Sequence, residues 1–76
     1  MRKTITTAKK DLIPQAPVGR ILFKVGAERV SAEAIDAFTE IVTDIAIEIG
    51  QKAVRIAQHS GRKTVQDSDV KLAVKQ

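Results

Sequence analysis

From Ser31 to Ser60 the chain runs 30 residues without a proline. Ile35, Phe38, Val42, Ile45, Ile49, Ala53 and Ile56 follow one another in steps of 3-4-3-4-4-3, one continuous helical face. Ile41, Ile47 and Val54 lie off that line, so the apolar surface is wider than one stripe. A helix of this length spans ~45 Å, whereas a compact domain of this size has a radius of gyration of only ~11–12 Å. Flanking helices of ~10 residues each cover ~15 Å of such a rod. The middle, around Val42 to Ile49, would then leave isoleucines and valines in water at ~1.5–3 kcal/mol each. The pattern therefore predicts a partner chain crossing antiparallel over the midpoint. That crossing brings the Arg29 loop of one chain beside the Arg62–Thr64 loop of the other.

The flanks read as two short helices. The first is expected to start near Pro14, because proline is tolerated where helical N–H groups have no partner. Pro17 still fits its first turn. Ile21, Leu22 and Val25 give it an apolar face and Gly26 a C-terminal stop. Ser31 is a good N-cap for the long helix, with Glu33 favourably placed in its first turn. Gly50, costly in a helix interior, is expected where packing is close. Gly61 ends the long helix, Thr64-Val65 reads as a brief extended stretch, and a last helix runs from about Gln66 to Lys75. The fold class is all-α, ordered short–long–short.

Charge is informative by its distribution. The net charge is +4, and Arg2, Lys3, Lys9 and Lys10 account for all of it. Residues 1–11 thus read as a basic flexible tail and 12–76 as the folded domain. Glu33, Asp36, Glu40, Asp44 and Glu48 make an acidic, solvated stripe on the long helix. Positive charge collects at Arg20, Lys24 and Arg29 before that helix and at Arg62 and Lys63 after it.

Several function classes fit poorly. With no cysteine and one histidine, disulfides and the usual zinc sites are excluded, and no metal or cofactor is expected. No apolar run reaches the ~20 residues of a membrane span, and residues 1–10 lack the apolar core of a signal peptide. A cytoplasmic location is expected. No serine or acid stands at triad spacing from His59, and Gly26 and Gly61 form no phosphate-binding loop. The chain does not read as an enzyme, and no small-molecule substrate is implied. A small helix-turn-helix regulator would need a recognition helix with polar groups for base edges. The last helix is instead short and largely apolar on its inner side.

Four motifs, taken together, resemble an archaeal histone. They are Pro-Val-Gly-Arg-Ile at 17–21, Gly-Ala-Glu-Arg-Val-Ser at 26–31, Ala-x-His-Ser-Gly-Arg-Lys-Thr-Val at 57–65 and Asp-Val-Lys-Leu-Ala-Val at 69–74. The resemblance covers about residues 12–75. It implies a histone fold forming a handshake dimer, a homodimer or a pair with a related histone chain. It also implies an architectural chromatin protein, nucleoid-associated, that binds, bends and compacts double-stranded DNA with little sequence specificity.

By the same resemblance, Arg20 and Lys63 match phosphate contacts. Arg29 matches an arginine that enters the minor groove, where narrowing concentrates negative potential. Thr64 matches the residue that orients that arginine across the dimer, and Arg62 with Asp69 matches an internal salt bridge. Ile56, His59, Asp69 and Leu72 match a surface where two dimers join into tetramers or a longer superhelix. Taken singly, each charge would be a solvated residue and His59 a surface histidine. Phe23, Lys24 and Gln58 depart from the family's usual charges, and a basic extension before the first helix is unusual. The competing class is a histone-fold protein-interaction subunit of a transcription or replication complex. Such proteins commonly lose the loop arginine and the Arg-Lys-Thr run, both of which are present here.

Overall fold

A computed structural model describes residues 12–76 and contains three helices and no strand among them. They are α1 (Gln15–Lys24), α2 (Ala32–His59) and α3 (Asp67–Lys75). The expected basic tail at 1–11 lies outside the described residues.

Each boundary has a local cause. Pro14 sits just before α1 in extended conformation, φ −63° and ψ 145°, and Pro17 falls in the first turn, where a missing N–H leaves no bond unmade. Gly26, at φ +116°, lets the chain turn back: its N–H donates to Phe23 O and that of Ala27 to Leu22 O, both at 3.1 Å. Gly61, at φ +75°, repeats the device after α2. Its N–H reaches Gln58 O and that of Arg62 reaches Ala57 O, both at 3.0 Å. Both helices therefore end in a six-residue wrap that satisfies carbonyls otherwise left open. Ser31 Oγ accepts the Ala34 N–H at 3.0 Å and so caps α2 from outside. The helix consequently begins one residue after Ser31 and stops one before Ser60. The stretch expected to be extended at Thr64-Val65 is instead a bend at Thr64. Extended backbone comes at Gln66, φ −107° and ψ 166°, as the N-cap of α3.

Contacts group the chain into two units, Met1–Asp44 and Ile45–Gln76, and α2 contributes to both. In the first, α1 lies on the N-terminal part of α2. Val18, Gly19, Thr39 and Thr43 are buried there. Gln15 Nε2 donates to Asp36 Oδ1 at 2.7 Å. In the second, Ala53 and Ala57 of α2 and Asp69 and Ala73 of α3 are buried, and Lys52 Nζ reaches Gln76 O at 3.4 Å.

The buried set is small in side-chain size. Thr43, at 1% exposure, is the largest side chain wholly out of water among the described residues. Its hydroxyl donates to Thr39 O and that of Thr39 to Ile35 O, each at 2.7 Å, so burial leaves neither polar group unpaired. The larger apolar residues stay open: Ile41 and Ile45 on α2 are 55% and 51% exposed. Of the apolar face expected on α2, Ala53 is buried and Ile35, Phe38, Val42, Ile49 and Ile56 are half-buried. Gly50 has no neighbour in its own chain among the described residues. A Cβ added there would meet nothing within 4 Å, so no close packing within the protomer accounts for it.

Candidate nucleic-acid interface

The candidate basic residues lie on exposed positions fixed by short-range geometry. Arg20 is exposed on α1 next to buried Gly19. Arg29 is exposed in the loop between the Gly26 wrap and the Ser31 cap. Lys63 and Thr64 are exposed in the loop that follows the Gly61 wrap.

That second loop is closed by a clasp. Arg62 Nη1 donates to Asp69 Oδ2 at 2.8 Å and Nη2 donates to Asp69 Oδ1 at 2.9 Å, a bidentate pair. Arg62 Nη1 also donates to Thr64 O at 3.2 Å. The Gln66 N–H donates to Asp69 Oδ2 at 2.9 Å. The carboxylate at the third position of α3 thus reaches back to the N-cap amide, as in a capping box. Asp69 is 2% exposed, a burial made tolerable by having every donor it needs from its own chain.

These bonds set the electrostatics. The hydrogen bond from Arg62, then that from the Gln66 N–H, hold the Asp69 carboxyl down at about 2 from its usual 3.8. The same hydrogen bond raises the Arg62 guanidinium above its ordinary value. Arg62 is therefore committed to the fold, and Lys63 is the cation the loop presents outward.

Arg62 and Asp69 are in direct contact, as just described. Ile56 is half-buried and Leu72 48% exposed; His59, exposed at the C-terminal end of α2, is not bonded to Asp69 within the chain. Three contributors lie outside the candidate residues. Gln66 carries a legible signal, Gln-x-x-Asp across a helix start. The Gln15–Asp36 bond and the burial of Gly19 carry none, since both depend on how α1 meets α2. Among the described residues no group of three acidic, histidine or cysteine side chains could hold a metal, and no helix is long and apolar enough to cross a membrane.

Known proteins extend this picture. Residues 11–74 match the family described as histone-like transcription factor (CBF/NF-Y) and archaeal histone. Over 63 residues the chain is 52% identical to one of the subunits of archaeal histone HAN1 from Thermococcus zilligii, covering 83% of this chain and 94% of that protein. It is 49% identical over 63 residues to probable archaeal histone 3 of Methanocaldococcus jannaschii, with the same coverage of 83% and 94%. With its short–long–short helices and two basic loops, the chain belongs to the histone-like transcription factor (CBF/NF-Y) and archaeal histone family, as a histone-fold, DNA-binding chromatin protein.

Proposed function

We propose that the protein binds, bends and compacts double-stranded DNA with little sequence preference, as a handshake dimer with itself or with a related histone chain. In this reading the basic tail at 1–11 flanks a histone domain at 12–76. Arg20 and Lys63 contact phosphates, Arg29 enters the narrowed minor groove, and Thr64 of one chain orients Arg29 of the other. No chemistry is catalysed; the work is charge neutralisation and DNA deformation.

The observation that carries this reading is the clasped loop. Arg62 is held by Asp69 and by Thr64 O, and that leaves Lys63 and Thr64 exposed on a fixed backbone. A fixed cation loses little freedom on meeting a phosphate, which favours tight but sequence-blind contact.

Salt titration on random-sequence DNA tests it. Arg20 and Lys63 at phosphates and Arg29 in the minor groove, in both chains, bring ~6 positive charges against the DNA per dimer, so log affinity falls against log salt with a slope of roughly −5. A slope near zero would favour the protein-interaction class instead. Higher assembly is proposed to use Ile56, His59, Leu72 and Asp69, the last already holding three donors of its own chain. His59→Ala should keep short-DNA binding and lose nuclease footprints longer than one dimer covers.

A further inference from the structure

We propose that Gly19 and Ile35 are positioning residues for Arg20, setting how far α1 stands from α2 and so where Arg20 meets DNA; the inference rests on the reading of Arg20 as a phosphate contact. Gly19 lies inside α1, where its backbone is helical and a glycine is not needed for the turn. Its small size has another cause. A Cβ at this position would lie 3.1 Å from Ile35 Cδ1, with Cγ1 and Cγ2 of the same residue at 3.6 and 3.8 Å. The first distance is tighter than ordinary van der Waals contact and the other two are ordinary. The nearest obstacle to any side chain at Gly19 is thus a single terminal carbon on α2.

Two further bonds hold the pair in place. Ile35 O accepts the Thr39 hydroxyl at 2.7 Å, in addition to its place in the helix. One residue along α2, Asp36 accepts from Gln15 at the start of α1 at 2.7 Å. The first turn of α1 is thus tied to α2 by a polar bond and its middle by the Gly19–Ile35 approach. Arg20 follows Gly19 directly and is exposed. Any side chain that props α1 away from α2 moves Arg20 with it.

The test is a matched set of variants, each measured as the full chain on random-sequence DNA at a temperature where circular dichroism shows it folded. Arg20→Ala should lower the steepness of the salt dependence by about 2, two phosphate contacts per dimer at about 0.9 each. Gly19→Val should approach that value and Gly19→Ala should fall between it and the wild type. Adding Arg20→Ala to Gly19→Val should cause no further loss. Ile35→Val removes Cδ1 alone, so in the Gly19→Ala background it should restore the wild-type slope. Should Gly19→Val fail to fold, the alanine variant and its rescue decide the matter. A wild-type slope in a folded Gly19→Ala, a loss additive with Arg20→Ala, or failure of Ile35→Val to restore binding would each overturn the proposal. An unchanged slope in Arg20→Ala would overturn it as well, yet Arg29→Ala and Lys63→Ala would still report on DNA binding itself.

Discussion

The loop at 60–69 and the middle of α2 solve opposite problems. The loop is polar and finds every partner within ten residues: Gly61 wraps the helix end, Arg62 takes Asp69 and Thr64 O, and Gln66 gives its N–H to the same carboxylate. Mid-α2 is apolar and finds few partners, with Ile41 and Ile45 about half exposed. Geometry that is local in sequence is completed by one chain. The hydrophobic work is left to association, which the histone family supplies by dimer formation.

The sharpest way to break this contrast is Ile45→Glu. In the proposed dimer the chains cross at mid-α2, where a buried charge costs several kcal/mol, enough to remove the whole stability of a small domain. Helical circular dichroism should be lost along with the dimer in sedimentation. A compact helical monomer would show that the exposed face needs no cover.

Next in size is the clasp. Asp69 has its carboxyl lowered to about 2 against 3.8 unfolded. Its stabilising effect is therefore complete above pH ~4 and fades as pH falls toward ~2. Asp69→Asn should flatten stability against pH across that window and lower the melting temperature at neutral pH. Arg62→Ala should also weaken DNA binding, by freeing the Lys63 loop. An acid titration that is identical in wild type and Asp69→Asn would remove the clasp from the account.

Arg29→Ala should leave folding within about 0.5 kcal/mol of wild type, while reducing DNA affinity on all sequences and the salt slope by about 2 per dimer. It should also blunt preference for easily deformed sites, because groove width rather than base edges is what such an arginine reads. Unchanged binding would argue against that loop as a DNA contact.

The smallest effects concern the helix itself. Ser31→Ala removes the cap on Ala34 and should cost about 1 kcal/mol. Gly50→Ala should gain up to about 1 kcal/mol of helix propensity, since a Cβ there meets nothing within the chain. A loss instead of a gain, seen in denaturant melts, would place a partner's backbone against Gly50.

Much of the fold can be read from residues that act on their neighbours. Pro14, Gly26, Ser31 and Gly61 each mark a boundary through their own backbone or side chain, and the helices stop beside them. The Arg62–Asp69 pairing is implied by the family resemblance and not by spacing alone. Thr39 and Thr43 escape a sequence reading as buried positions, because a polar residue is ordinarily assigned to the solvent side. Their hydroxyls bond the carbonyl four residues back, a local solution that hydrophobic periodicity does not register. Gly19 sits within one of the four motifs, but its purpose needs the position of Ile35, which no pattern along one helix contains.

A chain whose buried side chains, among the described residues, are small apart from the clasped Asp69 — valine, alanine and threonine — has a consequence for supply. In the proposed pairing of the chain with itself, stability is inseparable from how much of it is present, because the stabilising partner is drawn from the same dilute pool. Each tenfold dilution removes about 1.4 kcal/mol from the assembled state. Scarce copies are then the ones most exposed to unfolding and degradation, and abundant copies protect one another. In that pairing the amount of protein is self-reinforcing, held up by the apolar face of α2 that one chain leaves about half exposed at Ile41 and Ile45.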